Sequence, residues 1–290
     1  MMKNFIGLIE ILLELTKFKI TSFVTITTFL GYILFTNELK TDLIGVLIGV
    51  LLLSSGSAIF NHYQERKYDA LMKRTMNRPI PSGKVNAGVA FLLGLLFSVG
   101  GLLILSFGYN LSSAILGLIA LLWYNGIYTP LKRKFALAVV PGSLIGSIPP
   151  MIGWTAAGGY PFDSSILMIA FFLFIWQIPH FWLLMLFFDE DYKAAGYPTL
   201  TNYFSKEQIY RLTFIWMIAL AVASLTMPLF NLIQHPVINY GLLLTAIWFI
   251  WNSTKLLKKN EERLIVISGF RTINTFMLLI VFQLSIDKLL

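Results

Sequence analysis

Nine apolar runs divide this chain, near residues 18–36, 42–60, 85–107, 112–129, 136–158, 165–187, 209–230, 237–253 and 266–286. Each approaches the ~20 residues that a helix needs to cross the hydrocarbon core of a bilayer. Runs of this length exceed barrel strands, and a spanning helix satisfies its own backbone hydrogen bonds. The reading is therefore an all-α polytopic membrane protein, a nine-helix bundle with a central cavity, forming one domain over 1–290. Composition agrees: 57% of residues are hydrophobic and 12% charged, about half the charge of a soluble domain.

The first 17 residues place Phe5, Leu8, Ile9, Leu12 and Leu13 at helical spacing, with Glu10, Glu14 and Lys17 among them. Without a small-residue cleavage site, this segment reads as an interfacial amphipathic helix rather than a signal peptide. The chain has no cysteine, which excludes disulfides, thiolate-bound zinc and thiolate catalysis.

Positive charge sets the expected orientation. Of the 22 Lys and Arg, 19 fall in the N-terminal arm or in the loops after spans 2, 4, 6 and 8, including Lys259. The positive-inside rule places these segments in the cytoplasm and the C-terminus outside, as for a protein of the cell inner membrane. The net charge of +8 is then a topology signal. Nucleic acid binding needs a basic face on a soluble fold, and none is visible.

Two cytoplasmic loops carry the candidate chemistry. In the first, Asn61, Glu65 and Asp69 stand four residues apart. If span 2 continues as a helix, they share one face, drifting about 40° per step. Two carboxylates and an amide beside Lys73, Arg74 and Arg78 suit a divalent metal and a phosphate group; Mg²⁺ takes oxygen ligands and keeps substrate phosphates as partners, and arginine offers phosphate a bidentate fork. The second loop carries Asp189, Glu190 and Asp191 in succession. Side chains about 100° apart cannot all face one ligand. This run either caps a helix end or supplies a second metal cluster facing the first across a pyrophosphate.

The pattern Asn61-x3-Glu65-x3-Asp69 with Arg74-Thr75-x2-Arg78-Pro79 resembles the first acidic motif of the UbiA-type intramembrane prenyltransferases. The segments 15–34, 123–134 (WYNGIYTPLKRK), 142–159 (GSLIGSIPPMIGWTAAGG) and 179–200 extend the likeness over most of residues 15–200 and are most similar to the branch that modifies heme. The resemblance implies Mg²⁺-dependent transfer of a farnesyl group from farnesyl diphosphate to a vinyl group of heme B, giving heme O. It implies metal and diphosphate ligation by Asn61, Glu65, Asp69 and Asp191, and diphosphate contacts from Lys73, Arg74, Arg78, Lys132 and Arg133. The chain departs from the branch at Glu65, usually aspartate; at Lys67, usually a third acid; near Ala138, usually asparagine; and at Asp189-Glu190, where a basic residue usually precedes Asp191. These departures bear on the number of metal ions and on the acceptor.

His180, late in span 6, could ligate heme iron or orient the acceptor, or it could pack behind the kink of Pro179. Pro149-Pro150 is expected to break span 5 locally and turn that wall toward the substrate. Gly142-x3-Gly146 permits close helix approach. Two other functions remain open: prenyl transfer to a quinone precursor or other aromatic acceptor, and transport. A transporter predicts paired polar residues at mid-membrane, whereas here charge gathers at one end.

Overall fold

The computed structural model describes residues 2–258 and 262–290, without the side chains of residues 2–6 and Glu262. Phe5 and Lys259, invoked above, and Lys3 of the N-terminal arm lie outside the described side chains. Helices carry the described chain, and no strand occurs within it.

A short amphipathic helix, α1 (Met2–Leu15), leads through Lys17 into α2 (Phe18–Thr36). Helix α3 (Leu43–Asp69) follows, then α4 (Ala87–Gly108) and α5 (Leu111–Leu122). The last continues through a π-helical stretch (Trp123–Tyr128) and the single turn α6 (Thr129–Leu131). Next come α7 (Val139–Gly142), α8 (Leu144–Ala156), α9 (Ser164–Phe187) and the short α10 (Asp189–Ala194). Helices α11 (Lys206–Thr226), α12 (Pro236–Ser253) and α13 (Glu262–Leu289) complete the bundle.

Seven helical stretches among the described residues are long and apolar enough to cross a membrane. The predicted spans at 136–158 and 237–253 are also helical, but the first is interrupted and neither meets that standard. Large apolar side chains face outward, with Phe107 87% and Trp251 75% exposed. Lipid, rather than water, suits that surface.

Span 5 breaks elsewhere than expected. Pro149 and Pro150 lie inside α8, and the interruption is at Ser143, two residues after Pro141. The prolines are held by close packing instead. A Cβ on Gly31 would stand 1.9 Å from the Pro150 carbonyl oxygen, and one on Gly153 would stand 2.0 Å from that of Thr28. Two glycines thus let α2 and α8 touch backbone to backbone, as small residues do in membrane bundles.

The bundle is uneven inside. Helices α9, α11, α12 and α13 enclose the largest apolar core, where Phe249 stacks on Phe276 at 3.9 Å. Helices α2, α3, α5, α8 and α9 instead surround a cavity of about 310 Å³. Four of the basic segments meet at its mouth. At the opposite end of the bundle, Asp287 accepts backbone N–H bonds from Gln234 and His235, and Gln234 reaches Asn37.

Candidate functional site

Helix α3 runs without interruption to Asp69, because neither proline nor glycine follows Gly56 within it. Asn61, Glu65 and Asp69 therefore lie on one face, and all three line the cavity mouth. Their exposures are 1%, 4% and 1%. Buried carboxylates at such a place need partners, and each is supplied by a different part of the chain.

Arg78 binds both oxygens of Asp69 at 2.9 Å, a bidentate pair. Lys132 donates to Glu65 Oε2, and Tyr197 donates to Oε1 at 2.8 Å. Lys17 donates to Asn61 Oδ1 at 2.5 Å, while Asn61 Nδ2 donates to Thr129 at 3.1 Å. Thr75 donates to the Asp69 carbonyl, which turns the loop so that Arg78 faces back.

Lys17 was legible only as a topology charge. Its backbone has φ 49°, in the left-handed region, and this turn between α1 and α2 sends the ammonium into the mouth. Burial lowers its pKa to about 7, with the nearby Arg78 and Lys132 charges adding to the shift. Tyr197 has no spacing signal, since its bond to Glu65 spans 132 residues. Burial and the Glu65 carboxylate push its hydroxyl well above the ordinary tyrosine value.

The π-helical stretch supplies the aromatic wall. Its wider turn carries Tyr124 and Tyr128, stacked at 6.0 Å and both lining the cavity. Such stretches recur at functional sites. It is fastened by Asn125, which donates to the Ser57 carbonyl and accepts from the Ser57 hydroxyl, and by Trp123, which donates to the Pro141 carbonyl. Deeper walls are apolar, including Val50, Leu53, Ile145 and Ile152, with Pro149 of α8 among them.

The expected site residues separate into two groups. Asn61, Glu65, Asp69, Arg74, Arg78 and Lys132 line the cavity. Lys73, Arg133, His180 and Asp191 do not. Lys73 is exposed on the surface. Arg133 braces the site from behind, donating to the Gln64 carbonyl and lying 4.7 Å over the Tyr68 ring. Asp191 is half-buried on α10, although its neighbour Tyr192 lines the cavity. Asp189 is occupied by Lys193 at 2.7 Å and Thr201 at 2.7 Å. Despite burial, these hydrogen bonds hold its carboxyl below the ordinary aspartate value. Among the described residues, no three His, Asp or Glu side chains converge as a metal cluster.

His180 faces the interface of α9 and α13, where its Nδ1 pairs with Asn274 at 2.8 Å between Trp176 and Phe270. That geometry matches the packing alternative, and His180 is absent from the cavity lining. The polar side chain that α9 does present to the cavity is Gln177.

As an arrangement, the mouth offers oxygen donors and four cations over an apolar chamber with ring faces. It suits a ligand with an anionic head and a hydrocarbon body. Residues 24–274 match the UbiA prenyltransferase family. The chain is 39% identical to a protoheme IX farnesyltransferase of Geobacter sulfurreducens over 202 residues, covering 70% of this chain and 74% of that one. It is 30% identical to a protoheme IX farnesyltransferase of Oleidesulfovibrio alaskensis over 276 residues, 95% of each. A solved structure reported for digeranylgeranylglyceryl phosphate synthase shares the fold with a TM-score of 0.78 at 16% identity, covering 97% of this chain and 98% of that one. A UbiA homolog from Archaeoglobus fulgidus, solved bound to GPP and Mg²⁺, gives a TM-score of 0.69 at 14% identity over 95% of this chain and 99% of that one.

Proposed function

The chain belongs to the UbiA prenyltransferase family, and from that premise we propose that it transfers a farnesyl group from farnesyl diphosphate to a vinyl carbon of heme B. The observation that carries the reading is the mouth itself: Asn61, Glu65 and Asp69, each facing a cation, at the entrance to an apolar cavity. The names of the relatives support the acceptor.

The oxygen donors Asn61, Glu65 and Asp69 fit a hard cation such as Mg²⁺, with Asp191 on the neighbouring α10 as a further carboxylate. When bound, the ion supplies charge neutralisation at the leaving diphosphate. The protein's own cations do the same work from fixed positions. Lys17, Arg74, Arg78 and Lys132 line the mouth, where negative charge would grow as the C–O bond breaks, and such preorganised charge lowers the barrier. The ring faces of Tyr124 and Tyr128 attract the allylic cation. The apolar walls keep bulk water from quenching it. The vinyl group then attacks the allylic carbon, and a water molecule completes a hydroxyethylfarnesyl substituent.

The positive-inside argument supports a cytoplasmic mouth in the inner membrane, with α1 lying in the interface and Leu290 outside. A reporter fused after Leu290 is expected to be active only outside, and one in the loop 70–86 only inside. The reaction is tested by expressing the protein and mass-analysing extracted hemes. Farnesylated heme supports the acceptor; heme left unmodified while a phenolic acceptor is prenylated overturns it and leaves the diphosphate site standing.

A further inference from the structure

One buried polar atom without a protein partner belongs to a side chain of the cavity lining. Gln177 lies midway along α9, and its amide oxygen is buried with no hydrogen bond. Of the described residues with such an unpartnered buried atom, Gln177 alone lines the cavity. The serine and threonine hydroxyls of the lining are engaged: Thr21 donates to the Phe18 carbonyl, Ser54 to that of Leu51, and Ser57 to the Asn125 side chain.

The depth of the amide follows from two glycines. Gly142 packs against the Tyr128 ring, and Gly146 packs against Gln177, where a Cβ would stand 2.0 Å from Nε2. Four residues of helix rise about 6 Å. Tyr124 also lies one turn beyond Tyr128. The amide thus sits at the level of the tyrosine wall, just beneath the charged mouth.

An amide placed in an apolar wall needs a ligand that can hydrogen bond. In the reaction proposed above, both reacting edges are hydrocarbon: the allylic carbon and the porphyrin vinyl group. Neither donates nor accepts. The remaining reactant at that edge is water, which does both. We infer that Gln177 holds the water molecule whose oxygen becomes the hydroxyl of the product; the inference rests on the heme reading.

The step balances without an oxidant. The vinyl π pair forms the new C–C bond to the allylic carbon, and the diphosphate leaves with the C–O electron pair. Positive charge then lies on the inner vinyl carbon, conjugated with the macrocycle. A water lone pair forms the C–O bond, and the proton it sheds passes to the departed diphosphate. Gln177 is a positioning residue: its amide oxygen accepts a hydrogen bond from the water and aims the lone pair, but takes no proton.

The test uses the full chain in lipid nanodiscs with heme B, farnesyl diphosphate and ¹⁸O-labelled water, and reads products by mass. Wild type is expected to give farnesylated heme carrying one labelled oxygen. Gln177→Met keeps the length and removes the hydrogen bond. Its cation should lose a proton from the adjacent methylene instead, yielding a farnesylated alkene lighter by one water. The ratio of hydroxylated to dehydrated product should fall about fivefold or more, in line with loss of one neutral hydrogen bond, while total farnesyl transfer falls less. Gln177→Glu, which keeps an oxygen acceptor, should restore the ratio. Gly146→Ala presses first on the flexible end of Gln177, so it should shift the ratio the same way even if the Met variant does not fold. An unchanged ratio in the Met or the Ala variant overturns the inference with the heme reading intact. A wild type that makes no farnesylated heme overturns the heme reading and, with it, the inference.

Discussion

The two acidic segments have the same chemistry and opposite settings. Asn61, Glu65 and Asp69 recur every four residues on a 27-residue helix, so all three face inward and are buried. Asp189, Glu190 and Asp191 are consecutive on a six-residue helix, so they splay. Asp189 is spent on Lys193 and Thr201, Glu190 is exposed, and the Asp191 carboxylate has no partner among the described residues. Spacing, not acidity, decides which group is built into the bundle. A residue every turn commits a whole face, whereas a run commits one side chain at most. The first segment is also held from four places in sequence, by Lys17, Arg78, Lys132 and Tyr197.

The sharpest way to break this contrast is Asp69→Asn. It removes the charge that Arg78 grips and an oxygen ligand from the mouth. Turnover is expected to fall about 100- to 1000-fold, the cost of losing one preorganised charged contact. The variant should still purify as a folded protein, because the change lies at a helix end and leaves the apolar core untouched. Farnesyl transfer with normal metal dependence would remove Asp69 from the site. Glu65→Asp should be far milder, since the carboxylate remains.

Lys17→Met tests whether the cations facing the first segment serve folding or chemistry. Activity should fall about tenfold or more through loss of one fixed charge near the diphosphate. Thermal stability should rise instead of falling. Lys17 is crowded by Arg78 and Lys132 in a poorly hydrated place, which is why its pKa is depressed. A matched loss of activity and stability would mean that Lys17 is structural.

Asp191→Asn measures what the second segment contributes. If Asp191 joins the metal only when ligand is bound, turnover should drop about tenfold and the Mg²⁺ dependence should shift to higher concentration. Glu190→Gln, on the exposed side of the same helix, should change neither. Equal effects at the two positions would erase the distinction between an aimed side chain and a solvated one.

How much of this was readable beforehand follows from the geometry. Apolar runs and charged loops reveal helices and the end of the bundle where chemistry gathers. The four-residue spacing gave the face of α3 because helix periodicity is local. Depth was also readable for His180, but direction was not: one residue turns a side chain by about 100°, and its neighbour three positions back, Gln177, faces the cavity instead. Pro149-Pro150 failed as a break because α2 packs against that stretch through Gly31 and Gly153, a tertiary contact that local sequence does not encode. Tyr197 and Lys17 were missed for the same reason, as both reach α3 only through the assembled bundle.

Tyr197→Phe is the smallest expected effect and the finest test of the comparison. Tyr197 lies beyond α10, so it belongs to the second acidic segment, yet its hydroxyl donates to Glu65 of the first at 2.8 Å. Its ring lies against Tyr68 at 5.2 Å and Tyr192 at 5.6 Å, and it packs with Met72 and Ala195. These apolar contacts hold the loop over the mouth and survive in phenylalanine. Only the hydrogen bond is lost, and Glu65 keeps Lys132. Stability should therefore change by no more than about 1 kcal/mol, with activity down about two- to fivefold in the same proportion. The result is read in kcat/KM for farnesyl diphosphate beside thermal unfolding. A loss as large as that of Asp69→Asn would mean that the loop after α10 sets the position of Glu65 during reaction. The two segments would then act as one unit, and their separation in this structure would describe the resting arrangement alone.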